Sequence, residues 1–144
     1  MRVGHGRLLP GFVVSVVVGV CALAGSSLWA RQAETGSATE DLPTLMGEGQ
    51  AIFGSTCVAC HDAEGAATSA PALSGHPSMG AKDHIVRQVL RGNVEKGMPP
   101  FAPTLTDRQV AAVTTYIRNA WDNSHGIVTE ADARRVRTEP TSKP

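Results

Sequence analysis

The sequence predicts an all-α domain with long loops, and three observations carry that prediction. Apolar residues recur at helical spacing in three separate stretches. One of these stretches opens on a Thr-x-x-Gln capping pattern. No stretch alternates apolar and polar residues as a half-buried strand would. Pro71, Pro77, Pro99, Pro100 and Pro103, with many glycines, fill the intervals. Loops of that length are suspect in a small domain unless they wrap something.

In chain order, Met46, Gly49, Ile52 and Phe53 predict a helix that runs up to a pair of cysteines. A second helix is predicted from about Asp83, with Ile85, Val86, Val89 and Leu90 on its apolar face and Gly92 placed to end it. The third starts at Thr106, where Gln109 completes the capping box. Val110, Val113, Ile117 and Trp121 then share a face, with Tyr116 and Ala120 beside it. Thr129 to Val136 reads as a short helical turn and Thr138 to Pro144 as a disordered tail. No internal repeat is present.

Residues 1–30 read as an address. Arg2 and Arg7 precede a stretch from Leu8 to Ala30 that carries no charge, with Phe12 to Val20 as its apolar heart. A basic start followed by an apolar run is the pattern of a secretory signal, and Ala22-Leu23-Ala24 fits its small-x-small cleavage rule, with Ala30 as a second end. The 23 uncharged residues also suffice to span a bilayer, so the same segment can stay as an N-terminal membrane anchor with its basic end inside. Val20 before Cys21 fits a lipoprotein box poorly. Residues 31–43 are polar and small and predict a flexible linker, with a reach of about 20 Å.

From residue 31 onward 11 basic and 13 acidic residues give a net charge of −2, and no basic patch stands out, which excludes nucleic acid as a partner class. Only 4% of residues are aromatic, so another large apolar filler is expected in the core. Without Cys21, the remaining cysteines are Cys57 and Cys60, which lie in one short motif rather than in a disulfide framework.

That motif, Cys57-Val58-Ala59-Cys60-His61, carries the chemistry. Two thiols separated by two residues can add across the two vinyl groups of one haem, and the histidine that follows can swing beneath the ring to bind iron. Structural zinc needs further ligands at finger-like spacing, and a thioredoxin-like pair needs a βαβ setting; neither is present. A simple disulfide remains open in an oxidising compartment. The expected cofactor is one covalent haem c on Cys57, Cys60 and His61.

With these residues in place, the stretch from Leu45 to Asn123 resembles the class I cytochrome c family. Gly49 and Phe53 match the glycine and aromatic of that family's first helix, and Tyr116 matches the aromatic of the helix that crosses it. The resemblance implies a cytochrome c-like domain over residues 44–126, wrapped around its haem, with 127–144 as an appended tail. It implies that the Pro71 carbonyl, followed by Leu73, accepts a hydrogen bond from the haem-ligating His61. It also implies that Gly97-Met98-Pro99-Pro100-Phe101 is the distal loop, with Met98 as the second iron ligand and Gly97 allowing the loop close to the ring. Met79 is its competitor. His76, His84 and His125 read as solvated groups, Arg87 and Arg91 as exposed helix arginines, and Trp121 as a core or haem-edge residue. Leu105-Thr106-Asp107 to Trp121 and Gly126-Ile127-Val128-Thr129 are similar to small cytochrome subunits of periplasmic dehydrogenases.

The function this implies is one-electron transfer in the bacterial periplasm, soluble or tethered to the inner membrane, by a chain that is not itself an enzyme. Its expected partners are a dehydrogenase or quinol-oxidising complex as donor and a terminal oxidase or another cytochrome as acceptor. Two alternatives are a haem sensor with a displaceable sixth ligand and an obligate electron-transfer subunit of a dehydrogenase.

Overall fold

The computed structural model describes residues 40–140. The leader, most of the linker and residues 141–144 lie outside the described residues. Five helices follow one another: α1 (Leu42–Ile52), α2 (Val58–His61), α3 (Lys82–Arg91), α4 (Asp107–Asn119) and α5 (Glu130–Thr138). A π-helical turn, Phe53–Cys57, joins α1 to α2, and short 3₁₀ turns occupy Pro77–Gly80 and Val94–Lys96. Among the described residues there is no β-strand, only an isolated bridge between Asn93 and Met98. The all-α prediction therefore holds.

α1 begins earlier than the linker boundary at residue 43 allows. Asp41 caps it by accepting from the Thr44 N–H at 2.9 Å, and Pro43 falls in the first turn, where its missing N–H costs no hydrogen bond. The helix does not run unbroken to the cysteines. At Phe53–Cys57 it loosens, and the Val58 N–H reaches back to the Phe53 carbonyl. Such a turn inserts one residue into the helical path and is frequent at functional sites.

α4 is the centre of the domain and is buried continuously from Val110 to Arg118. Its Thr106/Gln109 capping box is fully formed. One face takes α1; α3 and α5 cover the others, and Val86, Leu90 and Val113 fill the shared core. Trp121 lies beyond the end of α4, not on it, with φ +55°. It packs against Phe53 and Tyr116, with ring centroids 5.4 and 5.6 Å away. Its indole N–H donates to the Ala63 carbonyl at 3.0 Å.

The short turn expected over Thr129–Val136 is a nine-residue helix, so the folded unit continues past residue 126. Thr129 and Asp132 form a second capping box, and Ala133 and Val136 are buried against the core. Burial pulls the Asp132 carboxyl pKa upward, but the pair with Lys82 at 2.8 Å and two hydrogen bonds from Thr129 outweigh it and hold the pKa at about 2. Arg87 and Arg91 tie down the other end of α5, through the Glu139 carboxylate at 2.7 Å and carbonyl at 3.0 Å.

Candidate haem site

The chain after α2 reverses sharply and brings a second segment back over His61. Asp62 leaves the helix at φ +48°, and its carboxylate accepts from the Glu64 and Ala66 N–H groups at 2.8 and 3.1 Å. The Leu73 and Ser74 N–H groups both reach the Gly65 carbonyl, which closes the loop. The Thr68 hydroxyl donates to the Cys60 carbonyl at 2.6 Å. These bonds place the Pro71 carbonyl 3.2 Å from His61 Nδ1. A carbonyl only accepts, so Nδ1 is the donor in this contact, and in neutral imidazole that tautomer leaves the lone pair on Nε2, the form in which histidine binds a metal.

The distal segment is stapled to the end of α3. Asn93 and Met98 exchange both backbone hydrogen bonds, at 2.9 and 3.0 Å. The Phe101 and Ala102 N–H groups donate to the carbonyls of Val89 and Leu90, both at 3.1 Å. Gly92 ends α3 at φ +67°, and a Cβ there would lie 2.5 Å from the Met98 carbonyl oxygen. Among protein atoms the close approach therefore falls at Gly92, while Gly97 supplies a left-handed turn at φ +85°. The Met98 sulfur accepts from the Gln88 side-chain amide at 3.4 Å.

Between the two segments lies a cavity of about 570 Å³. Cys57, Cys60, His61, Pro71 and Met98 all line it, so the five residues singled out from the sequence meet at one site. Phe53, Leu73, Ile85, Val89 and Ile117 give it an apolar wall. The size lies within the roughly 300–1,000 Å³ usual for small-molecule and cofactor sites. Two thiols, an imidazole with a free nitrogen and a thioether on one apolar cavity match the attachment and ligation chemistry of haem c. Burial, with Cys60 nearby adding to it, pushes the Cys57 thiol up to about 11.

The other sequence candidates are also placed. Met79 is buried and shares the cavity wall with Met98. His76 and His84 line it as well; His76 Nδ1 accepts from the Ser78 N–H at 3.2 Å and so caps the 3₁₀ turn. His125 is exposed and sits against Gly80. Trp121 backs Phe53 and is a core residue, not part of the cavity wall.

Two buried polar residues that shape the site gave no sequence signal. Arg118 donates through Nε to the Met79 carbonyl and through Nη2 to the His125 carbonyl, both at 2.8 Å, and so fixes the turn that carries Met79. Burial lowers its pKa, and its Nη1 has no partner among the described residues. Asn123 is buried between α4 and the proximal loop. Its amide donates to the Leu73 and Ile117 carbonyls at 2.9 and 2.8 Å, and its oxygen accepts from the Gly75 N–H at 3.1 Å. Asn123→Ala would orphan several buried groups and is expected to cost about 2–3 kcal/mol. Thermal unfolding of the holoprotein measures this, and a melting temperature equal to wild type would contradict it.

Comparison with known proteins agrees with this chemistry. Residues 44–117 match the family described as cytochrome c oxidase, cbb3-type, subunit III. The gluconate 2-dehydrogenase cytochrome c subunit of Pantoea cypripedii is 32% identical over 111 residues, covering 65% of this chain and 24% of the relative. The alcohol dehydrogenase (quinone) cytochrome c subunit of Gluconacetobacter polyoxogenes is 30% identical over 95 residues, covering 56% and 20%. The fructose dehydrogenase cytochrome subunit of Gluconobacter japonicus is 26% identical over 106 residues, covering 62% and 22%. The chain thus spans about a fifth to a quarter of the length of these relatives. The family match covers just over half of the chain and contains the C-x-x-C-H motif, the proximal loop and the distal loop; the chain belongs to this cytochrome c family and is a class I c-type cytochrome that binds haem c covalently.

Proposed function

We propose that this protein is a one-electron carrier of a periplasmic dehydrogenase chain, with His61 and Met98 as the axial ligands of its haem. The observation that carries the reading is the cavity itself: both thiols, the oriented imidazole and the Met98 thioether line one apolar space. Haem c supplies a ferric/ferrous couple there. The chain's own residues do the rest. Cys57 and Cys60 hold the group, Pro71 fixes the His61 tautomer, and Phe53, Ile85 and Val89 keep water from the iron. His61 and Met98 would be the two protein ligands of the iron, leaving no site on it for a substrate, and the bound group would then supply electron transfer alone. The dehydrogenase donor is supported by the three relatives, each named as the cytochrome subunit of such an enzyme. The same names support a second reading, a dedicated subunit of one complex. A quinol-oxidising complex is the other donor class, and a terminal oxidase or a further cytochrome is the acceptor.

Export is part of the proposal and rests on the leader sequence. No helix among the described residues is long and apolar enough to cross a membrane. If the leader is removed, the mature chain starts after about residue 24 or 30.

One preparation tests these points. The protein is purified from the periplasm and from membranes, its intact mass is measured, and it is extracted with acid–acetone. Haem should stay on the polypeptide, and a redox titration should give a single reversible one-electron wave. A gluconate, alcohol or fructose dehydrogenase lacking its own cytochrome should reduce it when given substrate. Free haem in the solvent would overturn covalent attachment. Reduction by ascorbate but by none of the dehydrogenases would overturn the proposed donor while leaving the carrier intact. A full-length chain found in the membrane fraction would favour the anchor, and a full-length soluble cytosolic chain would overturn export.

A further inference from the structure

α5 lies beyond the matched residues 44–117, yet it grips the segment that follows the distal loop. Arg137, in its last turn, uses all three guanidinium nitrogens there. Nη1 donates to the Ala102 carbonyl and Nη2 to the Leu105 carbonyl, both at 2.7 Å, and Nε donates to the Asp107 carboxylate at 2.6 Å. A guanidinium presents its donors in a rigid planar fork, so one side chain fixes residues 102, 105 and 107 relative to one another. Ala102 is also the residue whose N–H reaches the Leu90 carbonyl of α3, just after Phe101 reaches Val89. The other flank of the loop is α3 itself, which α5 holds through Glu139 and its bonds from Arg87 and Arg91. One helix therefore grips both ends of the stretch that carries Met98.

We infer that Arg137 is a positioning residue that braces the distal loop against α3 and sets how often the loop swings away from the cavity. Two neutral backbone bonds, at Phe101 and Ala102, close the far end of the loop onto α3. Few bonds of this kind make a segment prone to open locally while the core stays folded. Bonds from a charged donor are stronger than neutral ones, so the Arg137 fork raises the cost of that opening. Phe101, Pro99 and Met98 all line the cavity, so opening would uncover it. The consequence for the iron rests on Met98 as the sixth ligand, because an open loop lifts the sulfur away and admits an outside ligand.

Arg137→Gln in the holoprotein tests this. It removes the charge and the fork, while Asp107 keeps Arg134 at 3.4 Å. Lys82→Gln is the comparison, since it breaks the pair with Asp132 at the opposite end of the same helix. Amide hydrogen exchange is followed by NMR on the ferrous protein. In Arg137→Gln the Phe101 and Ala102 amides should exchange faster by about tenfold or more, while the Val113 and Ile117 amides of α4 change much less. Cyanide should bind the ferric variant faster by a similar factor. Arg137→Lys should fall between, because an ammonium makes a point contact and not a fork. If loop and α4 amides accelerate by the same factor, or if Lys82→Gln opens the loop as much, Arg137 serves overall stability only and the inference is overturned. A wild type without the weak far-red absorption band of iron–thioether ligation would instead remove Met98 as ligand, and the exchange rates would still decide for Arg137. Should Arg137→Gln not accumulate, the wild-type protein decides: the Arg137 Nε–H proton should be protected from exchange, and a fast-exchanging one would overturn the brace.

Discussion

Gly49→Val is expected to leave little or no folded holoprotein. Gly49 is buried where α1 crosses α4. A Cβ at this position would lie 2.6 Å from the Cβ of Tyr116 and closer still to the backbone carbonyl oxygen of Ala112. Real Cβ atoms do not approach that near, and a helix carbonyl cannot swing aside as the end of a long side chain can. The two helices would have to separate. That would pull Phe53 off Tyr116, whose ring centroids now stand 5.4 Å apart, and open the cavity wall that Phe53 forms. Ordinary overpacking costs about 1–3 kcal/mol. Here backbone as well as side chain must move, so the cost belongs at or above that range, against a total stability of about 5–15 kcal/mol for a domain. Haem content and thermal unfolding of the exported variant are the measurements. A melting temperature within a few degrees of wild type would mean that the crossing is looser than the structure has it.

Met98→Ala should have the largest effect on function. A thioether is a soft ligand that favours ferrous iron, so losing it lowers the potential. The oxidised-to-reduced ratio should shift by at least tenfold at fixed potential, about 59 mV or more. The sixth position would also become available, so carbon monoxide should bind the ferrous variant, and the weak far-red absorption band that marks iron–thioether ligation in the ferric protein should vanish. Met98→His should lower the potential too, yet keep the iron six-coordinate. Met79→Ala is the necessary companion because both sulfurs reach the cavity wall. Met79 is only 3% exposed, so this change should cost about 2–5 kcal/mol of stability through a core void, with ligation intact. If Met79→Ala loses the band and Met98→Ala keeps it, the two methionines exchange roles.

What the sequence revealed was what has a period or a fixed spacing. The apolar face of α3 and its stop at Gly92 were legible, as was the Thr106/Gln109 box at the start of α4. The C-x-x-C-H motif located the site, and the five candidate residues do line one cavity. α5 was harder to read because five of its nine residues are charged. Only Ala133 and Val136 turn inward, and its capping box carries Asp132 where glutamate or glutamine is usual. The π-helical turn left no trace because one inserted residue does not disturb a short apolar period. Arg118, Asn123 and Gln88 act through hydrogen bonds to groups distant in sequence or to a neighbouring loop, and such bonds have no spacing rule. Arg87 and Arg91 looked like exposed helix arginines because their partner, Glu139, lies in a segment expected to be disordered.

A one-electron carrier of the proposed kind keeps its haem iron closed on both sides by the chain's own ligands, here His61 and Met98. Carbon monoxide added to the reduced wild-type protein at neutral pH tests it most directly. The ferrous absorption spectrum should stay unchanged under saturating gas if, as proposed, the Met98 sulfur holds the sixth position, carried on a loop pinned to α3. A prompt shift to a carbon monoxide-bound spectrum would contradict the account and would instead mark a protein whose iron is open to small ligands.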